Sequence, residues 1–265
     1  MTTTEIAIHG AAGRMGRRLL ALGSTDQELK IVAAIDCPTC PDLGKDAGLL
    51  AGVRELSVPI VSALHVHPDA VIDFSVPDAC EKILKACLEF QAPLVVATTG
   101  LSESQKGLLH QAARTIPIVW SPSMSTTVNL AMKLVAKAAD TLKDLASGVD
   151  VEIIERHHRM KEDSPSGTAL KFGDIVAEIM GQVVHRHGRE GAVGKRPAGE
   201  IGYHAVRTGD NPGEHTIIFG LLGETLEITV KATNRDCYAL GALAAAKFVA
   251  QQPPGLYSMY DVLGL

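Results

Sequence analysis

Apolar positions in the first half of the chain fall into short continuous runs, separated by stretches with helical spacing. EIAIHG (5–10), IVAAIDC (31–37), AVIDFSV (70–76), PLVVATTG (93–100) and IPIVWSP (116–122) are rich in Val, Ile and Ala and end in turn residues. Runs that are apolar at consecutive positions suit strands covered on both faces, as in a parallel sheet. Between them, GRMGRRLLALGS (13–24), DACEKILKACLEFQ (78–91) and SESQKGLLHQAART (102–115) carry helical periodicity. Strand and helix in alternation predict a Rossmann-like, doubly wound parallel α/β domain.

The pattern changes after about Thr126. A long amphipathic helix is predicted over 128–145, and VDVEIIERHH (149–158) alternates as a half-buried strand. A Ser-Pro-Ser-Gly turn opens a second helix, GTALKFGDIVAEIM (167–180). A polar, Gly-rich stretch (187–202) precedes three strand-like runs, YHAVRTG (203–209), EHTIIFGLL (214–222) and ETLEITVKAT (224–233). Strands without intervening helices predict an α+β unit built on an open mixed sheet with helices on one face. The small-residue helix YALGALAAAKFVAQQ (238–252) has the character of a segment that packs back onto the first domain. The expected division is 1–125 with 236–265 as a dinucleotide-binding domain, and 126–235 as a substrate-binding and oligomerisation domain.

Composition narrows the function. A net charge of −5 and 4% aromatic residues do not suit a nucleic-acid binder, which needs a basic surface or stacking platforms. No run reaches the roughly 18 apolar residues of a membrane span, and MTTTEIAIHGAAG lacks the layout of a signal peptide. A cytoplasmic protein with a small-molecule partner is therefore expected. The five cysteines, Cys37, Cys40, Cys80, Cys87 and Cys237, are odd in number and scattered, as in a reducing compartment. Cys37 and Cys40 form a C-x-x-C, but no second pair or His cluster lies near it in sequence, so no metal is expected there.

Gly10-Ala11-Ala12-Gly13-Arg14-Met15-Gly16 follows a predicted strand and opens a predicted helix, the setting in which glycines bring a backbone against a pyrophosphate. The spacing is G-x-x-G-x-x-G, so Ala12 stands where glycine is commoner. Asp36 ends the second strand, where an acid binds the ribose hydroxyls and repels a 2′-phosphate; this favours NADH over NADPH. Arg14 and Lys45 are cations able to offset that repulsion, and Asp36 also reads as a plain turn former. Thr98 and Thr99 end the fourth strand, at the edge where such sheets meet the nicotinamide, although the same residues serve equally as a polar turn.

Residues 155–168 concentrate the chemistry. His157, His158 and Lys161 precede Ser164-Pro165-Ser166-Gly167-Thr168, whose backbone N–H groups at Gly167 and Thr168 are unpaired at a helix start and suited to a carboxylate. Cations beside an anion cradle describe a dicarboxylate pocket, and a His or Lys there can deliver the proton that accompanies hydride transfer. A surface His-His pair before a well-capped helix is the plainer alternative. Zinc is not expected at His157 and His158, because neighbours in a strand diverge and no cysteine is near.

This segment resembles the E-x-H-H-x-x-K-x-D-x-P-S-G-T signature of the 4-hydroxy-tetrahydrodipicolinate reductase family of the lysine and diaminopimelate pathway. GAAGRMGR, VIDFSVP, ATTG, REG (189–191), IGYHAVRTGDNPGEHTIIF (201–219) and GLYSMYDVLGL (255–265) resemble other family segments, so the likeness spans nearly the whole chain. The resemblance implies His157 as catalytic acid/base and Lys161 as proton donor. It implies His158, Lys161, Ser166, Gly167 and Thr168 as substrate-binding. It also implies Gly10, Ala11, Ala12, Gly13, Arg14, Met15, Asp36, Ala97, Thr98, Thr99, Ser121, Pro122, Ser123 and Met124 as cofactor-binding. A cyclic dicarboxylate substrate, NADH or NADPH, and a homotetramer built through the C-terminal sheet follow from the same resemblance. The chain departs from the family pattern at Ser123 (commonly Asn), Thr127 (Gly), Val230 (His) and Arg156 (a small residue). Two other readings share the fold: an amino-acid or aldose dehydrogenase, and a non-catalytic NAD(P)H-binding sensor.

Overall fold

A computed structural model describes residues 3–265. The chain divides into two compact units, 1–126 with 235–265, and 127–234.

In the first unit the elements run β1 (Thr4–His9), α1 (Arg14–Gly23), β2 (Leu29–Ile35), α2 (Ala47–Leu50), β3 (Ile60–Val61), β4 (Ala70–Asp73), α3 (Pro77–Phe90), β5 (Leu94–Val96), α4 (Glu103–Ala112) and β6 (Pro117–Trp120). After the second unit it resumes with α7 (Asp236–Val249), β12 (Gly255–Tyr257) and α8 (Met259–Leu263). The seven strands form one sheet in the order β12-β6-β5-β4-β1-β2-β3, every pair parallel. The order reverses at β1, and the crevice outside the strand C-termini at such a reversal is where open α/β sheets bind ligands.

Both faces of this sheet are covered. Ile6, Ile8 and Ile72 pack with residues of α1 and α7, including Leu19, Ala242 and Leu243. Ala7, Val71 and Val96 on the other face pack against Ile83, Leu84 and Leu109 of α3 and α4. This double coverage is why the strands read as continuous apolar runs rather than alternating ones. The predicted strands and helices of this half all form. The structure adds α2, β3, β12 and α8, which no periodicity announced: a two- or three-residue strand is too short to show one, and β3 and β12 exist through pairing with β2 and β6.

The second unit runs α5 (Thr126–Leu142), β7 (Asp150–His157), α6 (Gly167–Met180), β8 (Val184–His187), β9 (Glu200–Arg207), β10 (Glu214–Gly220) and β11 (Thr225–Lys231). Its sheet has the order β11-β10-β7-β9-β8, antiparallel on the β10 side and parallel on the β9 side. β7 alternates in burial, with Val151, Ile153, Glu155 and His157 inward. α6 lies against β7 and β9 and contributes the fully buried Phe172 and Val176. The mixed sheet is as predicted. β8 was not, because all four of its residues are exposed and carry no burial pattern. No helix among the described residues is long and apolar enough to cross a membrane.

Candidate active site

Two sets of polar residues stand out, one in each unit. In the first unit, the turn after β1 is drawn to β2: the N–H groups of Gly10 and Ala11 both donate to Ile35 O, at 2.9 and 3.0 Å. Gly10 has φ +78°, and a Cβ there would sit 2.7 Å from Phe74 O. Gly16, inside α1, has no room either; its Cβ would lie 2.2 Å from Gly10 O. Gly13 caps α1 without a side-chain bond, so the first N–H groups of the helix remain available to an anion.

Asp36 closes the turn from the other side. Its carboxylate accepts from Ala12 N and Cys37 N, each at 2.8 Å. Gly10, Gly13, Asp36, Cys37 and Cys40 line a cleft of about 830 Å³ at the strand C-termini, flanked by α3. That volume lies within the range typical of small-molecule and cofactor sites. The helix start, the close backbone and the acid are the groups a dinucleotide's diphosphate and ribose require, so the residues present fit such a group.

The other predicted cofactor residues are placed unevenly. Ala11 and Met124 are buried in the core, and Met15 packs against it, so their side chains face inward. Arg14 is exposed at the first position of α1. Lys45 does not stand alone, since it pairs with Asp42 at 2.7 Å. Ala97, Thr98 and Thr99 follow β5; Ala97 and Thr98 are buried and Thr99 is exposed. Thr98 Oγ1 donates to Asp73 at 2.7 Å and accepts from Ser75 N at 3.1 Å, which commits its hydroxyl to the interior. Ser121 is buried and its hydroxyl donates to Ser123 O at 2.8 Å, while Pro122 is exposed.

Asp73 itself is fully buried. His9 Nδ1 donates to it at 2.7 Å and Ser75 Oγ at 2.6 Å. Burial pushes its pKa up, but the bonds from His9, Ser75 and Thr98 outweigh that and hold the carboxyl below its usual range. His9 also lines the cleft.

In the second unit, the inward face of β7 is apolar at Val151 and Ile153 and turns polar at Glu155 and His157, which are 1% and 7% exposed. Glu155 accepts from His157 Nδ1 at 2.5 Å, from Arg207 Nη1 and Nη2 at 2.8 and 2.7 Å, and from Ser166 N at 3.1 Å. Burial alone would raise its pKa; the Arg207 and His157 bonds bring it below the usual carboxylate range. His157 moves down: burial is the largest cause, and Lys161 and Arg207 add repulsion, together outweighing Glu155, which favours the charged ring.

Ser166 caps α6, its Oγ accepting from Ala169 N at 3.2 Å and bonding His215 Nε2 at 2.9 Å. The His215 ring meets His157 edge-on with centroids 5.2 Å apart. Burial first, and the neighbouring His157 second, push His215 down to about 4, so it is neutral near pH 7. Gly167 is exposed and Thr168 half-buried at the open helix start. His158 follows the strand end half-buried, with its Nδ1 enclosed and without a partner among the described residues. Lys161 reaches Asp163 at 2.8 Å and is close enough to lower the pKa values of both His157 and His215. The structure therefore gathers His157, Lys161 and Ser166 into one polar cluster beside Gly167 and Thr168.

Two of the departures from the family pattern, Arg156 and Val230, lie in the same sheet. Arg156 leaves β7 on the opposite face from His157 and pairs with Glu214. Val230 is buried on β11 in register with His215. The polar stretch before β9 is stapled to the sheet through Glu152, which accepts from Arg189, Arg196 and His204. Against the cost of burial, those donors hold Glu152 at about 2.

Family models described as the N-terminus and the C-terminus of dihydrodipicolinate reductase match residues 4–124 and 127–263. The chain belongs to the dihydrodipicolinate reductase family. It is an NAD(P)H-dependent oxidoreductase. A 4-hydroxy-tetrahydrodipicolinate reductase of Rhodopirellula baltica is 55% identical over 269 residues, covering 98% of this chain and 96% of that protein. The enzyme of the same name in Alkalilimnicola ehrlichii is 47% identical over 270 residues, with 99% and 100% covered. Among solved structures, a dipicolinate-bound dihydrodipicolinate reductase from Paenisporosarcina sp. TG-14 shares the fold at a TM-score of 0.78 and 23% identity, covering 98% and 99% of the two chains. An amine dehydrogenase from Mycobacterium smegmatis shares it more distantly, at 0.65 and 15%, with 97% and 95% covered.

In this member of the dihydrodipicolinate reductase family, sequence reasoning gave no role to Glu155, Arg207, His215, His9 or Asp73, although the first opens the quoted signature. A local signal existed for the first: Glu155 and His157 are two apart in a strand, so they share a face. Arg207 and His215 reach the cluster only through the pairing of β9 and β10 with β7. His9 and Asp73 are register partners at the ends of β1 and β4, a juxtaposition that 64 residues of separation conceal.

Proposed function

We propose that the chain reduces 4-hydroxy-tetrahydrodipicolinate, a small cyclic dicarboxylate, to tetrahydrodipicolinate in lysine and diaminopimelate biosynthesis, with NADH favoured over NADPH. The observation that carries this reading is the buried cluster of Glu155, His157 and His215 beside Lys161 and the open N-terminus of α6. A basic residue, a histidine with one nitrogen already engaged, and unpaired helix N–H groups together answer a substrate that carries carboxylates and needs a proton.

The first unit supplies the cofactor cleft and the second the substrate groups. A dihydronicotinamide cofactor held by this unit would supply the reducing hydride. The backbone of Gly10, Ala12 and Gly13 would face the diphosphate, and Asp36 the adenosine ribose; its negative charge is the basis of the NADH preference. In the second unit, the N–H groups of Gly167 and Thr168 would hold one substrate carboxylate, with His158 and Lys161 adding donors. His157 Nδ1 is engaged by Glu155, which leaves Nε2 as the atom that exchanges a proton. Lys161, an ammonium with three donors, is the proton source for the reduced product. A cytoplasmic homotetramer joined through the second unit's sheet belongs to the same reading.

The test couples the purified protein to substrate made fresh from pyruvate and aspartate semialdehyde by the preceding synthase, following NADH and NADPH oxidation separately. Turnover with NADH exceeding that with NADPH is expected, and His157→Ala or Lys161→Ala should lower kcat by about 10²-fold. No oxidation of either cofactor removes the proposal; full activity in both variants removes the proton roles.

A further inference from the structure

Glu155 lies beneath the residues assigned to chemistry, and the proton reading uses only its bond to His157 Nδ1. Its side chain is too enclosed to meet a substrate, and its two oxygens already accept from His157 Nδ1, both terminal nitrogens of Arg207 and Ser166 N. A carboxylate so occupied offers little to a reacting molecule. What it does offer is placement. The oxygen that faces His157 carries no proton, so Nδ1 must be the N–H end of the neutral ring and Nε2 the lone-pair end. The other oxygen holds the backbone of Ser166, the residue that caps α6 and precedes the exposed N–H groups of Gly167 and Thr168.

Two neighbours belong to the same frame. Ser166 Oγ bonds His215, whose ring edges against His157, so helix start and imidazole are linked a second time. Gly213 has φ +147°, and a Cβ there would come 2.9 Å from His157 Nε2. Only glycine leaves that nitrogen room. The charged and titratable groups facing His157 are Glu155 on its own strand, Arg207 on β9, His215 on β10, and Lys161 with its partner Asp163 on the following loop.

We propose that Glu155 is the positioning residue of this reductase, holding His157 in its Nδ1–H tautomer and the start of α6 in fixed relation to it, so that Nε2 alone exchanges the proton. This rests on the reading that His157 handles the proton. Glu155 also favours the charged form of His157, while burial, Lys161 and Arg207 oppose it. Replacing the carboxylate with an amide therefore moves the titration of His157 to lower pH.

The experiment uses the full chain. Nitrogen NMR of the histidine ring, with the His157 signal assigned by its loss in His157→Asn, reads the tautomer in the unsubstituted protein and in Glu155→Gln and Glu155→Asp. Kinetics of the same proteins are measured across pH, with nucleotide affinity measured by fluorescence. The unsubstituted protein should show the Nδ1–H tautomer. Glu155→Gln should lower kcat roughly 10²-fold, shift the acid limb and the ring titration to lower pH, and leave nucleotide affinity unchanged. Glu155→Asp should recover part of the rate.

An Nε2–H tautomer in the unsubstituted protein overturns the proposal even if no variant folds. So does a folded Glu155→Gln with unaltered rate, tautomer and titration. If His157→Ala keeps full activity while the tautomer depends on Glu155, the proton role of His157 is what fails, and the positioning of its ring survives without catalytic meaning.

Discussion

His215 shows how one buried side chain makes stability depend on pH. Its pKa in the folded chain is about 4, against the ordinary 6.5 expected when unfolded. Between those values the unfolded chain takes up a proton that the folded chain refuses, so stability falls as pH drops from about 6.5 to about 4. A shift of that size corresponds to roughly 3 kcal/mol across the window. His157 contributes in the same direction, whereas Glu155 and Asp73, whose pKa values are depressed, lose their stabilisation only as acid reaches the carboxylate range. Urea denaturation at several pH values should show His215→Gln losing less stability on acidification than the unsubstituted chain. Equal losses in the two proteins would place the pH dependence elsewhere.

Elements impose their own constraints, most tightly where β1 turns into α1. The chain has to cross from strand to helix within a few residues while the carbonyl of Gly10 packs against the first turn of α1. Gly16 makes that possible, since any Cβ would meet Gly10 O at 2.2 Å and Ala11 Cα at 2.6 Å. These are backbone atoms, not flexible ends, so Gly16→Ala must push the loop away from the helix. A loss of about 1–3 kcal/mol is expected from such overpacking. Nucleotide affinity should weaken with it, because the displaced backbone is the part proposed to face the diphosphate. Thermal denaturation with and without NADH measures both effects, and an unchanged midpoint together with unchanged affinity would contradict this account of the turn. The start of α6 depends on capping in place of close packing: Ser166 satisfies Ala169 N and leaves the N–H groups of Gly167 and Thr168 for an anion.

On the scale of the whole molecule, the proposed reading gives each of the two units its own task, nucleotide binding in one and substrate binding with proton transfer in the other. The second unit's sheet carries α6 on one face. Its other face includes the Arg156–Glu214 pair and Ile154, which is 40% exposed. For the homotetramer proposed through that sheet, sedimentation equilibrium should return four times the 28.0 kDa chain mass. A species of single-chain mass would remove the tetramer while leaving the chemistry of each chain intact.

Much of this was legible along the chain, because the physics involved is local. Continuous apolar runs announced the doubly wound sheet, since β1, β2, β4, β5 and β6 are buried on both faces. Gly10, Gly16 and Asp36 announced the tight turn between β1 and α1, because backbone conformation and strand ends are properties of a few adjacent residues. His157, Lys161, Ser166, Gly167 and Thr168 lie within twelve residues, so their cluster could be read as one segment. Tertiary structure alone decided which of these residues point inward. It turned the Thr98 hydroxyl onto Asp73, joined His9 to Asp73 across 64 residues, and brought Arg207 and His215 to Glu155 and Ser166. It also made strands of Ile60–Val61 and Gly255–Tyr257, which are too short to form except beside a neighbour. The division is physical: propensity and periodicity are written in consecutive residues, whereas the partner of a buried charge is chosen by which strands lie side by side.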